Sequence, residues 1–113
     1  MIQIYGIKNC DSVKKALSFF KKHNLEYALQ DFKTQKVSCN DVSSWLKQVD
    51  MKTLFNSRST TYKTLKLKEL NLDEKTQKEW LCKENLLVKR PVLEFNGKVI
   101  VGFNEDIYKG LFL

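Results

Sequence analysis

The chain has 113 residues, 42% of them hydrophobic, and a formal net charge of +7. That size and composition suit one globular domain with its own core. No stretch approaches the roughly 20 apolar residues of a membrane span, and the start lacks the basic-then-apolar pattern of a secretory leader. No membrane association is expected, and the cytoplasm is the expected setting. The 20 basic residues are lysine except for Arg58 and Arg90, and they alternate with acids, as in Lys66-Leu67-Lys68-Glu69. No compact block tracks phosphates, so no specific nucleic-acid partner is expected. Three cysteines without a C-x-x-C pair do not make a disulfide framework, which agrees with a reducing compartment.

In chain order, residues 2–5 read as a strand that breaks at Gly6. Residues 11–23 read as an amphipathic helix, with Val13, Ala16, Leu17 and Phe20 at helical spacing. Its basic end, Lys21-Lys22-His23, suits the negative pole of the helix dipole, and Asn24 is placed to cap it. Glu26 to Phe32 alternates as a second strand. Ser38 to Val49 is helical, starting near Asp41, with Val42, Trp45, Leu46 and Val49 on one face. Residues 51–55 and 62–68 read as short helical turns, and Asp73 to Asn85 as a further amphipathic helix. Val92–Phe95 and Lys98–Val101 flank Asn96-Gly97, the pair that favours a type I′ hairpin turn. A helix from Asn104 to about Leu111 follows.

The order β-α-β, then about 50 residues of helices, then β-β-α implies a mixed four-stranded sheet. The helix-linked strands are parallel with a right-handed crossover and the closing pair is antiparallel. This is the thioredoxin-like α/β arrangement. It is read as a single domain over 1–113, with a helical insertion over 38–87 between strands 2 and 3.

Cys10 falls where the first helix begins. Unpaired backbone N–H groups and the dipole stabilise anions there, and the thiolate is the reactive form of cysteine. A cysteine so placed either fills space beneath the helix or acts as a nucleophile, and its position favours the second role. Arginine, used only twice, stands in Asn56-Ser57-Arg58-Ser59-Thr60 and Lys89-Arg90-Pro91-Val92. Its planar fork holds an oxyanion through two bonds, or ties a loop to backbone carbonyls. Pro91 opens the third strand, either as an ordinary trans residue or as the cis peptide that thioredoxin-like folds place beside the cysteine loop. Cys39, just ahead of a helix, is a candidate resolving thiol, while Cys82 beside Trp80 and Leu81 reads as packing. His23 reads as helix-end chemistry. No His/Cys cluster has metal-ligand spacing and no glycine-rich phosphate loop is present, so neither a metal nor a bound cofactor is expected.

Four segments, Tyr5 to Ala16, Ser57-Arg58-Ser59, Lys89-Arg90-Pro91 and Gly102-Phe103-Asn104-Glu105-Asp106, together resemble the arsenate reductase (ArsC) family in its Spx/YffB-like branch. The resemblance spans nearly the whole chain. It implies a nucleophilic Cys10, with Arg58 and Arg90 holding an oxyanion or steadying the thiolate. Lys8, which either adds positive potential near the thiolate or is simply solvated, and Asn9 are taken with the arginines as candidate oxyanion-binding residues, and Pro91 as structural at the site. The resemblance also implies glutathione or glutaredoxin as the source of reducing equivalents.

The chain departs from that pattern at four places. Glutathione-linked arsenate reductases carry a histidine where Gly6 stands and a third arginine near Gly102, which argues against arsenate as the substrate. The phosphatase loop C-x-x-x-x-x-R of the other arsenate reductase class would need arginine at Ala16 and is excluded. Spx-type regulators often have a C-x-x-C switch whose second cysteine is Val13 here. The expected function is therefore a glutathione- or glutaredoxin-dependent thiol reductase using a single cysteine. The alternative is an Spx-like regulator that binds the RNA polymerase α subunit without turnover.

Overall fold

The computed structural model describes all 113 residues, and the chain divides into two compact units. The first comprises Met1–Thr34 with Arg90–Leu113, the second Gln35–Lys89.

The first unit holds a four-stranded sheet of order β2-β1-β3-β4, built from β1 (Ile2–Gly6), β2 (Tyr27–Asp31), β3 (Val92–Phe95) and β4 (Lys98–Val101). β1 and β2 are parallel, Ile2 facing Tyr27 and Gly6 facing Asp31, while β1–β3 and β3–β4 are antiparallel. The β3–β4 turn is the one its sequence demands: Asn96 and Gly97 take φ of 50° and 78°, the two positive values of a type I′ turn.

Helix α1 (Asp11–Lys22) buries Val13, Ala16, Phe19 and Phe20, and Asn24 follows it in the left-handed conformation at φ 56°. With Ile2, Ile4, Leu93 and Tyr108, the inward face of α1 forms the core of this unit. Tyr108 comes from α6 (Glu105–Phe112); its ring stacks on Phe20 at 5.7 Å and meets Phe19 and Phe103 edge-on. Its hydroxyl donates to the Gly102 carbonyl at 2.7 Å, and burial pushes the phenol well above its ordinary value.

The second unit is helical: α2 (Cys39–Leu46), α3 (Met51–Leu54), α4 (Thr60–Thr64) and α5 (Glu74–Lys83), with 3₁₀ turns at Leu67–Leu70 and Asn85–Leu87. Each α-helix here starts on a side-chain cap. Ser38, Asp50, Ser59 and Asp73 accept from the backbone N–H groups of Asp41, Thr53, Tyr62 and Thr76. The bonds to Thr53 and Thr76 hold the carboxyls of Asp50 and Asp73 below their ordinary value. Val42, Trp45, Leu54, Leu67, Leu81 and Leu87 are buried. Among them lies Asn85, whose side chain accepts from the Val37 N–H at 2.8 Å and donates to the Leu81 carbonyl at 2.9 Å, so its burial leaves no amide unsatisfied.

The elements expected from the sequence are present, with shifted ends. α2 stops at Leu46 rather than Val49, and α5 at Lys83 rather than Asn85, because Asn85 begins a 3₁₀ turn. The turn expected over 62–68 is two elements: Leu65 closes α4, and Lys66 goes left-handed at φ 53° ahead of Leu67–Leu70.

One expectation is overturned. The cysteines do form a disulfide, between Cys39 and Cys82. Cys39 is thus no resolving thiol for Cys10, and Cys82 is more than packing. The physical reason is that α2 packs on α5, bringing the two Cα atoms to 4.9 Å, inside the window a disulfide spans. Their separation of 43 residues gives no local sign of this.

Candidate functional site

The sheet topology gathers the chemistry at one edge. β1 ends at Gly6 where β3 begins, since Tyr5 faces Val92, and β4 ends there too, since Val101 faces Val92. The loop from Ile7 to Cys10, the Arg90–Pro91 bond and the segment after Val101 therefore share that edge. The Arg90–Pro91 peptide is cis, as expected from the fold. The Pro91 carbonyl accepts from the Gly102 N–H at 2.8 Å, which ties the last strand's exit to the residue just before β3.

The cysteine loop is short and fastened. The Cys10 N–H donates to the Ile7 carbonyl at 3.2 Å, and the Lys8 N–H to the Asp31 carboxylate at 3.2 Å. Asp31, at the end of β2, also accepts from the Lys33 N–H at 2.8 Å, so one side chain organises two turns. Sequence reasoning missed this role, since an aspartate after a strand carries no distinctive local signature.

Cys10 is the N-cap of α1, a free, half-buried thiol whose carbonyl accepts the Lys14 N–H at 2.9 Å. Of the six α-helices, five begin on Ser, Asp or Asn whose side chain accepts a backbone N–H. α1 alone has no side-chain cap. Its first-turn N–H groups lack intrahelical partners, as at any helix start. Here the N-cap residue carries a thiol instead of a hydroxyl, carboxylate or amide, and its side chain makes no bond to that turn. Asp11 occupies the first turn and is exposed.

The remaining expected site residues divide between the units. Lys8 and Asn9 are exposed in the Cys10 loop, and Arg90 is half-buried ahead of Pro91, all in the first unit. Arg58 belongs to the second unit, exposed, with its backbone N–H donating to the Asn56 side chain at 3.1 Å.

Gly6 and Gly102, where the sequence departs from the glutathione-linked pattern, have physical reasons of their own. A Cβ on Gly6 would stand 2.7 Å from a methyl of Val13, so α1 approaches β1 more closely than a side chain allows. Gly102 takes φ 86°, a conformation L side chains rarely adopt. Neither backbone position accommodates histidine or arginine without moving. Val13, which stands where a C-x-x-C motif has its second cysteine, is fully buried against Gly6.

No group of three or more His, Cys, Asp or Glu side chains is placed to hold a metal ion, and no helix is long and apolar enough to cross a membrane.

A thioredoxin-like sheet with a cis proline at the edge that carries a free N-cap cysteine defines a protein with a thiol-oxidoreductase type of fold. Residues 5–111 match the ArsC family, and the chain belongs to that family. It is 40% identical to an uncharacterised Haemophilus influenzae protein, over 99% of both chains. It is 33% identical to the global transcriptional regulator Spx 2 of Oceanobacillus iheyensis, over 93% of this chain and 78% of that one. Among solved structures, the YffB protein superimposes with a TM-score of 0.90 at 32% identity, covering 97% of each chain.

Proposed function

We propose that the chain is a glutathione- or glutaredoxin-dependent thiol reductase working through Cys10 alone, in one thioredoxin-like domain that carries residues 38–87 as an insertion. The observation that carries this reading is the N-cap of α1, where a half-buried free thiol replaces the oxygen cap found on the other five α-helices. The Cys10 thiolate attacks the glutathione sulfur of a substrate–glutathione mixed disulfide: a bond forms from Cys10 Sγ to that sulfur, the bond to the substrate sulfur breaks, and the substrate leaves as a thiolate, which takes a proton from solvent. A second glutathione thiolate, free or delivered through glutaredoxin, attacks the glutathione sulfur on Cys10. Glutathione disulfide is released and the Cys10 thiolate returns, so two glutathione equivalents supply the two electrons. Arg58 and Arg90 hold the carboxylates or oxyanion of the incoming group, with Lys8 and Asn9 adding donors. Arsenate is a poor substrate in this reading, because Gly6 and Gly102 leave the grip short of a histidine and an arginine.

Mass mapping after glutathione disulfide treatment, with turnover of a small glutathione mixed disulfide, tests the proposal. A single adduct on Cys10 is expected, with activity lost in Cys10→Ser and reduced nearly as much by Arg58→Lys as by Arg58→Ala. Full turnover in Cys10→Ser, or efficient arsenate reduction with glutathione and glutaredoxin, overturns it.

A second reading is favoured by the identity to Spx 2 over most of this chain: a regulator that docks on RNA polymerase without turnover. Stoichiometric capture of the polymerase α subunit, with no reductase activity, would select it.

A further inference from the structure

Cys39 and Cys82 play no part in the chemistry assigned to Cys10. Cys39 is the first residue of α2, directly after the capping Ser38, and it is exposed. Cys82 is half-buried in the last turn of α5. The bond between them therefore has one open end and one sheltered end. Exposed disulfides are the labile ones, and exchange requires a thiolate to approach one sulfur in line with the bond that breaks.

We propose that Cys39–Cys82 is a second thiol-exchange site, entered at Cys39 by a small thiol of the glutathione class. The incoming thiolate bonds Sγ of Cys39 and breaks the bond to Cys82, which leaves as a thiolate and takes a proton from solvent. A second thiolate then attacks the small-molecule sulfur of the mixed disulfide. The small disulfide departs and Cys39 is left reduced, so two small thiols are oxidised as two protein thiols form. Two features favour this direction. In the second step the leaving group is Cys39, whose thiolate sits in the first turn of an eight-residue helix, where backbone N–H groups favour negative charge. The sheltered sulfur is the leaving group instead of the point of attack. The closed loop contains α3, α4 and Arg58, so the exchange sets how tightly that segment is tethered.

The test uses the full chain carrying Cys10→Ser, which removes the other thiol and keeps the outcome independent of the role proposed for Cys10. The oxidised protein is equilibrated in glutathione buffers of rising reducing ratio, trapped by alkylation and mapped by mass spectrometry. The disulfide is expected at the oxidising end, a glutathione adduct on Cys39 at intermediate ratios and the dithiol at the reducing end. An adduct found chiefly on Cys82, a disulfide that persists through the reducing end, or two free thiols in the oxidising buffer would each overturn the proposal. If the variant does not fold, the wild-type chain gives the same reading, because Cys10 lies on a separate peptide.

Discussion

The two compact units solve the same stability problem by different means. The first relies on a sheet whose strands are far apart in sequence, and on one aromatic cluster in which Tyr108 is packed by Phe19, Phe20, Phe103 and Phe112. The second has no strand pairing beyond a single bridge between Phe55 and Val88. Its α-helices run from 4 to 10 residues, too short to persist alone. It adds four side-chain caps, a buried asparagine that replaces backbone bonds, and a covalent cross-link. Both units bury a full set of apolar side chains; without long-range strand pairing the helical one adds polar and covalent ties, while the sheet unit leaves the first turn of α1 without a side-chain cap.

The largest effect expected from this contrast is loss of the cross-link. Replacing Cys39 and Cys82 together by alanine opens a loop with a 43-residue separation, and the chain-entropy model puts the cost at about 4 kcal/mol. Urea unfolding should show that deficit in oxidising buffer, and it should vanish in reducing buffer. Equal stability in both buffers would mean the second unit does not lean on its disulfide.

The first unit should respond most to its backbone contact. Gly6→Ala places a methyl 2.7 Å from Val13 Cγ2, and overpacking of this kind costs about 1–3 kcal/mol. Adding Val13→Ala should restore part of the loss. A double mutant as unstable as the sum of the two single changes would show that the close approach is not what fixes glycine at this position.

A smaller effect is expected at Tyr108. Tyr108→Phe removes the 2.7 Å bond to the Gly102 carbonyl, a change worth about 1 kcal/mol. The pH dependence is sharper. The buried phenol's folded value lies above its ordinary 10.0, so above that pH the unfolded chain sheds this proton while the folded chain keeps it. Its contribution is intact below pH 10.0 and is lost as pH rises beyond it. Thermal melts above that pH should fall more steeply for wild type than for Tyr108→Phe.

Much of the first unit was legible because its signals are local. Asn96-Gly97 announces a hairpin, the spacing of Val13, Ala16 and Phe20 announces a helix, and the β-α-β order fixes a parallel pair. The second unit was legible as helix but not in detail. Lys66 and Asn71 both turn left-handed at the ends of a 3₁₀ segment, which no local preference for lysine foretells. Asn85 reads as an ordinary polar residue until Val37, 48 positions away, supplies the N–H it accepts. The disulfide and the Asp31 bond to the Cys10 loop are likewise tertiary facts. Cys10, Arg90 and Pro91 stood out through their chemistry and neighbours, and the cis bond followed from the fold to which they belong.

Val13 carries one last consequence. A second cysteine at that position would let an oxidised Cys10 close a bond within its own helix, at a rate independent of its surroundings. With a buried valine there, clearing the oxidised sulfur through that helix is not available, and the event becomes second order. Under the role proposed for Cys10, the lifetime of its oxidised form then scales inversely with the thiol concentration outside the protein. The residue becomes a clock whose rate the surrounding solution sets.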